Sequence, residues 1–308
     1  MIETVELTRK FDQIVAVEDL TITINDGEVF GFLGPNGAGK TTTIRMLCCL
    51  IEPTSGLAFV DGLDINDKES RIKIRQNIGL LPENPGLYES LSAYQNLDFY
   101  ARMYGVPAAK RSARITELLR ALDILGRKDD PVGSFSKGMK QKIAIARALV
   151  HDPKYLFLDE PTSGLDPVSS ITVRNYLMEL KREGRTIFIN THHLDEAQKL
   201  CDKIGILKTH LLVSGSPEQL ANEFFGRTTM VELGSVSPET LALVKSFNGV
   251  KAFRQDGNRL YLSIDDPATD NPAIVAELVR SGAQIIHVEE VKKGLEDVYM
   301  RIVGGDNR

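Results

Sequence analysis

The sequence predicts two folded parts, an α/β domain built on a largely parallel sheet and a smaller α+β domain after it. Segments typical of strands alternate with segments typical of helices as far as about residue 215, which is the pattern of parallel α/β folds. Within this region, a glycine-rich loop matching G-x-x-x-x-G-K-[ST] joins a buried strand to a helix. After residue 225, short strands and helices follow in a different order.

Length and composition agree with this division. The chain has 308 residues, more than one ordinary hydrophobic core holds, and its 42% hydrophobic and 26% charged residues are typical of soluble globular proteins. We therefore expect domains over residues 1–222 and 223–308. The longest apolar run covers residues 46–51, far below the roughly 18 residues of a transmembrane helix.

Charge and cysteine content restrict the partners and the compartment. The net charge of −5, without a block of basic residues, argues against nucleic acid as the main partner. The three cysteines show neither a disulfide framework nor metal-ligand spacing, and the first residues lack the features of a secretory signal. The sequence therefore predicts a cytoplasmic location with reduced thiols.

Strand and helix patterns are clear along the first domain. Strands are predicted at residues 2–7, 16–24, 29–33, 57–60, 78–81, 155–158, 186–190, 204–208 and 211–214. Three helices, at residues 92–104, 108–122 and 136–149, predict a helical subdomain over about residues 90–150.

The second domain is expected to be a split βαβ, ferredoxin-like module with the order β-α-β-β-α-β. Its strands are predicted at 229–233, 250–255, 259–264 and 285–288, and its helices at 238–246 and 272–281. Asp256, Gly257 and Asn258 predict a hairpin turn, and an amphipathic helix over Leu295–Val303 ends the domain. Because this part has no phosphate-binding loop, regulation or dimerisation suits it better than catalysis.

The glycine-rich loop predicts a phosphate-binding site. Its expected ligand residues are Gly34, Asn36, Gly37, Ala38, Gly39, Lys40, Thr41 and Thr42. The glycines let backbone N–H groups turn toward a β-phosphate, Lys40 reaches the β- and γ-phosphates, and the Thr41 hydroxyl coordinates Mg²⁺. The positive end of the following helix faces the same anion.

A second motif narrows the chemistry, because GTPases, kinases, helicases and transport ATPases all use phosphate loops. The apolar strand at residues 155–158 runs into Asp159 and Glu160, which is the Walker B pattern. Asp159 is expected to hold Mg²⁺ and Glu160 to polarise an attacking water, since adjacent carboxylates at a strand end can face different groups.

The phosphate-binding loop, the Walker B strand and three further segments occur in the same order as in the nucleotide-binding subunit of ATP-binding-cassette (ABC) transporters. The chain resembles that family over roughly residues 1–220. Residues 135–141 stand where that family carries its LSGGQ signature, 163–166 resemble its D-loop, and 190–192 resemble its switch-histidine loop. Phe11 stands where the family places an aromatic ring against adenine, although a lone aromatic is more often a core residue. The resemblance implies a P-loop NTPase ABC cassette that binds ATP and Mg²⁺.

The resemblance also implies an active site shared between two cassettes. Ser136 and the N–H groups after it begin a helix and form a second anion site. In the family, this site acts with the residues matching Gly138 and Asp166 on the nucleotide of the other subunit, so a homodimer encloses two ATP molecules. His192 is expected to contact the γ-phosphate, and His193 to point elsewhere if the loop is extended.

Three positions depart from the family pattern. The family normally has glutamine where this chain has Glu83, which could still bind Mg²⁺ through an oxygen. Lys137 and Met139 replace a glycine and a glutamine of the commoner signature, and Lys137 either strengthens phosphate binding or faces solvent. Residues 82–88 together with 136–141 resemble the exporter branch that includes antibiotic-resistance and sodium-efflux cassettes.

We therefore expect an ATPase subunit that dimerises around two Mg·ATP and powers export through a separate integral membrane permease, held peripherally on the inner face of the cell membrane. Its predicted catalytic residues are Lys40, Glu160 and His192. An alternative is a soluble ABC-type ATPase that acts on ribosomes or DNA, although tandem cassettes, a coiled coil and basic arms are not seen. A small-molecule kinase leaves residues 136–141 unexplained.

Overall fold

The computed structural model describes residues 1–291 and 293–304 and divides the chain into two compact units, Met1–Ser216 and Pro217–Arg308. The boundary expected after residue 222 falls inside a helix, Pro217–Phe225, which belongs to the second unit. A helix is one hydrogen-bonded element, so the division lies at its first residue.

The first unit alternates strands and helices. Its strands, β1 to β10, are Ile2–Phe11, Ile14–Ile24, Val29–Leu33, Ser55–Val60, Leu63–Asp64, Ile78–Leu81, Tyr155–Asp159, Thr186–Asn190, Lys203–Lys208 and His210–Gly215. Its helices, α1 to α7, are Lys40–Leu47, Lys68–Asn77, Ala93–Met103, Ala108–Ala121, Lys137–Leu149, Pro167–Arg182 and Leu194–Leu200.

A six-stranded sheet in the order β10-β9-β3-β8-β7-β6 forms the centre of this unit. Its pairs are parallel except at the edge, where β10 runs antiparallel to β9. Every residue of β3, β7 and β8 is buried, as expected for strands covered on both faces. The predicted largely parallel sheet is confirmed, and the carboxyl ends of β3, β7 and β8 meet at one edge.

The first strands of the chain form a second sheet, which is antiparallel, in the order β2-β1-β4-β5. Only Asp12 and Gln13 separate β1 from β2. A parallel pair needs a crossover of about a dozen residues or more, so this connection permits only a hairpin.

Aromatic side chains fill the core beneath the parallel sheet. Phe30 and Phe32 point to the same face of β3 because strand side chains alternate, and their rings lie 5.6 and 5.1 Å from that of Phe188 on β8. Phe157 on β7 lies 5.7 Å from the same ring. These phenylalanines belong to one buried cluster with residues of α1 and of the antiparallel sheet, so the rings join the layers. Each buried ring contributes roughly 1.5–3 kcal/mol.

Helices α3, α4 and α5 pack on one another and form the predicted helical subdomain. Side-chain caps fix where two of them begin. Ser92 Oγ accepts a hydrogen bond from the Gln95 N–H, and the Gln95 side chain accepts from the Ser92 N–H, which is a capping box. Ser136 Oγ accepts from the Met139 N–H at the start of α5.

The second unit has the predicted ferredoxin-like order. Its strands, β11 to β14, are Arg227–Leu233, Val250–Asp256, Arg259–Ile264 and Ile285–Glu290, and its helices, α8 to α11, are Pro217–Phe225, Pro238–Ser246, Pro267–Arg280 and Leu295–Val303. The antiparallel sheet has the order β12-β13-β11-β14, with Gly257 at φ 58° in the hairpin between β12 and β13. Asp266 caps α10, so this helix begins before Pro272, where the sequence pattern placed its start.

Among the described residues, none of the helices combines the length and the apolar character needed to span a bilayer.

Phe188 is central to the ring cluster, so we predict that Phe188→Ala lowers the free energy of unfolding of the first unit by about 3–5 kcal/mol. Urea denaturation followed by circular dichroism measures the change. Met103→Ala, at a side chain that is 69% exposed, is the control and should change it by less than about 0.5 kcal/mol. A loss below about 1 kcal/mol for Phe188→Ala would contradict the proposed core.

Candidate active site

The phosphate loop is held against its neighbours by two glycines. A Cβ on Gly39 would overlap the carbonyl oxygen of Ala16, and one on Gly34 would overlap the carbonyl oxygen of Leu207. Gly39 also has φ 99°, a conformation that side chains rarely tolerate, and it is the N-cap of α1. The loop therefore turns tightly into the helix, and the unbonded N–H groups of the first helical turn face outward at its end.

Lys40 lies along this loop. Its Nζ donates hydrogen bonds to the carbonyl oxygens of Gly34, at 2.7 Å, and Pro35, at 3.1 Å. Burial lowers the pKa of Lys40, and the negative charges of Glu160 and Asp159 act in the opposite direction. The ammonium group is thus placed between the loop and two carboxylates.

Asp159, the last residue of β7, is oriented from two sides. Its Oδ2 accepts a hydrogen bond from Thr41 Oγ1 at 2.8 Å, and its Oδ1 accepts one from Asn190 Nδ2 at 3.1 Å. The register of β7 and β8 pairs Asp159 with Asn190. The orienting role of Asn190 was not predicted. The feature of the sequence that indicates it is a polar residue at the end of the neighbouring parallel strand.

Glu160 adopts a strained backbone conformation. Its φ of 53° is in the left-handed region, at a cost of about 1–3 kcal/mol for such a residue, and its N–H donates to the Asn190 carbonyl at 2.9 Å. The turned backbone brings Glu160 Oε2 to 2.8 Å from His192 Nδ1. Because a carboxylate only accepts, the ring nitrogen is the donor. Two of the three predicted catalytic residues, Glu160 and His192, are therefore in direct contact.

The sequence predicts that His193 points away from His192 if the loop is extended, but the chain bends at His192 and the two rings lie together. The rings of the two histidines lie 4.1 Å apart. His193 is the N-cap residue of α7, and its N–H donates to Thr191 Oγ1 at 3.0 Å. The chain turns at this point, so both rings lie on the same side.

A buried carboxylate joins the two segments that carry Glu160 and His192. Glu196 is 4% exposed, and its Oε2 accepts hydrogen bonds from Thr162 Oγ1 at 2.8 Å and Thr191 Oγ1 at 3.2 Å. Burial raises the pKa of Glu196. The sequence reasoning missed this residue, and its only signal was an acidic side chain on the inner face of a short helix.

One cavity of about 450 Å³ brings the phosphate loop and the acidic residues together. It is lined by Ala16, Asn36, Gly37, Ala38, Gly39, Lys40, Thr41, Thr42, Glu83, Asp159, Glu160, Ser163 and His192. Ala16 was not predicted as a site residue, and Ser163 was predicted only as part of the D-loop. Thr41, Glu83 and Asp159 also line a smaller neighbouring cavity of about 130 Å³. A hydroxyl and two carboxylates are the oxygen donors that Mg²⁺ prefers, so these residues fit the metal.

Gly34 and Phe11 do not line this cavity, and neither do Ser136, Gly138 and Asp166, which cluster with one another. A Cβ on Gly138 would be 2.7 Å from Ser169 Oγ and 3.2 Å from Asp166 Oδ2. Asp166 caps α6 as Ser136 caps α5, and the hydrogen bonds from Ser169 lower the pKa of Asp166. The starts of two helices therefore lie side by side at a second place on the surface.

The sequence left two alternatives for Lys137, phosphate binding or exposure to solvent, and two for Phe11, contact with adenine or a place in the core. A Cβ on Gly164 would overlap Lys137 Nζ, so the ammonium group lies against the predicted D-loop. Phe11 is 41% exposed and is therefore not a core residue. The Arg9 guanidinium lies 4.4 Å from the centre of its ring, and neither residue lines the larger cavity.

Comparison with known proteins identifies the family of this chain. The family model for ABC transporters matches residues 17–163, and that for the C-terminal domain of DrrA1-3-like ATP-binding proteins matches residues 215–303. The chain is 41% identical over 226 residues to the ABC transporter ATP-binding protein NatA of Bacillus subtilis, covering 71% of this chain and 91% of NatA. It is 34% identical over 308 residues to the bacitracin transport ATP-binding protein BcrA of Bacillus licheniformis, covering 99% of this chain and 98% of BcrA.

A solved structure shows the same cassette fold. It is a dimeric ATP-binding cassette in a post-hydrolysis state with ADP and Pi, which aligns with a TM-score of 0.65 and 26% identity over 70% of this chain and 98% of that one. Together with the fold and the phosphate-loop cavity, these similarities show that the chain belongs to the ABC transporter family, as an ATP-binding subunit with ATPase activity that uses ATP and Mg²⁺.

Proposed function

We propose that this ATPase dimerises around two Mg·ATP and drives export through a separate membrane-spanning partner. One observation carries the proposal. The phosphate loop, Asp159, Glu160 and His192 line a single cavity, whereas Ser136, Gly138 and Asp166 form a cluster outside it. A cassette whose second anion site lies away from its own phosphate loop needs another copy to complete each active centre.

Nucleotide binding depends on the loop and on the oxygen ligands beside it. The N–H groups at the start of α1 and the Lys40 ammonium bind the phosphates, which replace the carbonyl oxygens of Gly34 and Pro35 as hydrogen-bond partners of Nζ. Thr41, Asp159 and Glu83 would hold Mg²⁺, which supplies charge neutralisation at the β- and γ-phosphate oxygens.

Glu160 is the proposed general base. Its carboxylate faces the cavity at the end of β7, where it can take a proton from a water that attacks the γ-phosphate. His192 holds this carboxylate through the 2.8 Å hydrogen bond and lines the same cavity. We propose that the imidazole positions the water and the carboxylate together and contacts the γ-phosphate.

The partner copy would supply the other half of the centre. The N-termini of α5 and α6 lie together, and Ser136 Oγ with the free N–H groups after it presents donors to an anion. Gln141 Nε2 also donates to the carbonyl of Pro161, next to Glu160, at 3.0 Å. Contact at this cluster would therefore reach the catalytic segment of the same chain through a buried hydrogen bond.

A groove between α2 and α3 is the proposed docking site for the permease. It has a volume of about 620 Å³ and is lined by Ile72, Arg75, Gln76, Tyr100, Met103, Tyr104 and Gly105. Ile72 is 58% exposed and Met103 69% exposed, so apolar side chains face outward on both walls. Exposed apolar surface of this kind is typical of protein interfaces. Such docking would hold the subunit peripherally on the inner face of the membrane.

Export is supported by the relatives. BcrA, a bacitracin transport protein by name, aligns with nearly the whole chain, including the ferredoxin-like unit. We therefore propose an exporter of the antibiotic-resistance type, in which the second unit has a regulatory or dimerising role.

We predict that Glu160→Gln reduces steady-state hydrolysis at least 100-fold while ATP still binds, since a glutamine accepts no proton. Trapping the nucleotide should also shift the protein to a dimer in size-exclusion chromatography with ATP. Phosphate release and equilibrium binding of a fluorescent ATP analogue measure the first two effects. Turnover close to that of the parent would remove Glu160 from the role of base.

Glu83→Gln should keep ATPase activity within about tenfold of the parent, a change in barrier below roughly 1.4 kcal/mol. A glutamine oxygen can still bind Mg²⁺, and the substitution removes one negative charge near the phosphates. The measurement is ATPase activity as a function of Mg²⁺ concentration, which gives both the maximal activity and the Mg²⁺ concentration for half of it. A collapse of activity at saturating Mg²⁺ would show that the carboxylate itself is needed.

The groove is tested by Met103→Asp, which places a charge on its exposed apolar wall. We predict at least about a tenfold lower recovery of the membrane partner when the complex is purified from detergent-solubilised membranes, with ATP binding by the isolated subunit unchanged. Met300→Asp is the matched control, because Met300 is 63% exposed and lies in the second unit. Equal recovery with both variants would place the permease elsewhere.

A further inference from the structure

Two adjacent histidines and the proposed base form a cluster that the hydrolysis mechanism does not fully use. One ligand atom from each of Glu160, His192 and His193 lies within 4.8 Å of the other two. Glu160 Oε2 is 2.8 Å from His192 Nδ1, and the two imidazole rings are 4.1 Å apart. His193 has no part in the proposed hydrolysis, yet its ring lies beside His192 and within reach of Glu160.

The donor set suits a transition-metal ion. Two imidazoles and one carboxylate with an open fourth position form a common Zn²⁺ site. Tetrahedral bonds of about 2.0–2.1 Å place the ligand atoms roughly 3.4 Å apart, so the three side chains need to move by only about 1.5 Å. The histidines can move in this way, because His193 is exposed and the His192 side chain is 52% exposed.

The backbone beneath the cluster is already fixed. The N–H of His193 is bonded to Thr191 Oγ1, and Thr191 is bonded to the buried Glu196. Glu160 is held by its own N–H on the carbonyl of Asn190. Binding would therefore order only side chains, which keeps its entropic cost small.

This cluster, of which Glu160 and His192 line the larger cavity, differs chemically from the proposed Mg²⁺ ligands. Thr41, Asp159 and Glu83 offer only oxygen atoms, which suit a hard ion, whereas His192 and His193 offer imidazole nitrogens. Excess Mg²⁺ is consequently a poor competitor for the histidines. The oxygen donors therefore suit Mg²⁺, whereas the pair of imidazoles suits a softer metal.

We propose that Zn²⁺ binds to Glu160, His192 and His193 and holds the ATPase in an inactive state. The metal would occupy the carboxylate oxygen that takes the proton from water, together with the imidazole that positions it. The phosphate loop is left free, so nucleotide still binds. The inhibitory part rests on the proposed role of Glu160 in hydrolysis, whereas the binding site itself does not.

The decisive variant is His193→Asn, because asparagine is a good N-cap residue for α7 but a weak Zn²⁺ ligand. Zn²⁺ binding to the full chain is measured without nucleotide, in excess Mg²⁺, by competition with a chromophoric zinc indicator. We expect the apparent dissociation constant to rise at least about tenfold in this variant. His287→Asn is the matched control, since His287 is also exposed and lies 3.3 Å from a carboxylate, that of Glu289.

ATP hydrolysis is then measured during Zn²⁺ titration and after addition of a zinc-selective chelator. The parent protein should lose at least about nine-tenths of its activity reversibly, and His193→Asn should need at least about tenfold more Zn²⁺ for the same loss. Without Zn²⁺, this variant should hydrolyse ATP within about twofold of the parent.

Equal Zn²⁺ affinity of the parent and His193→Asn would overturn the site. A loss of Zn²⁺ affinity in His287→Asn equal to that in His193→Asn would also overturn it. Tight binding at His193 without inhibition would overturn the inhibitory state. Failure of the proposed function is a separate result, because turnover by Glu160→Gln would remove the base without altering the effect of His193→Asn on Zn²⁺ binding.

Discussion

The register between β7 and β8 is the constraint on which the active centre depends. Hydrogen bonding of these parallel strands places Asp159 directly beside Asn190. Glu160 follows Asp159 after β7, and Thr191 and His192 follow Asn190 after β8. A slip of one residue would turn each of these side chains to the opposite face of the sheet. The proposed metal ligand Asp159, the proposed base Glu160 and the His192 imidazole are therefore positioned by one set of backbone bonds, and β3 carries the phosphate loop to the same edge.

Two features next to this register are energetically unfavourable but fix the geometry of the site. Glu160 is held in a left-handed conformation, and the buried Glu196, whose pKa is raised by burial, joins Thr162 to Thr191. Such strain and burial persist only where the surroundings determine them strongly, which here are the ring cluster below and the fully buried strands. The result is a carboxylate and an imidazole held in contact, which in the proposed mechanism need little reorganisation.

The distribution of anion-binding groups also has a functional meaning. The loop before α1 and the cluster at the starts of α5 and α6 both present unbonded N–H groups, but they belong to different places in one chain. A buried hydrogen bond from Gln141 to Pro161 connects the second place to the catalytic segment. This arrangement is compatible with the proposed dimer, in which each copy would complete the active centre of the other.

The sequence by itself determined the local chemistry of this protein. The glycine-rich loop, Asp159 with Glu160, and the ferredoxin-like order could be predicted because each depends on residue types at short spacing, where sterics and strand periodicity act locally. The separate antiparallel sheet, the orienting role of Asn190, the brace at Glu196 and the turn of His193 toward His192 could not. These features arise from pairing and burial between segments distant in the chain, and only the tertiary structure decides which side chains such contacts bring together.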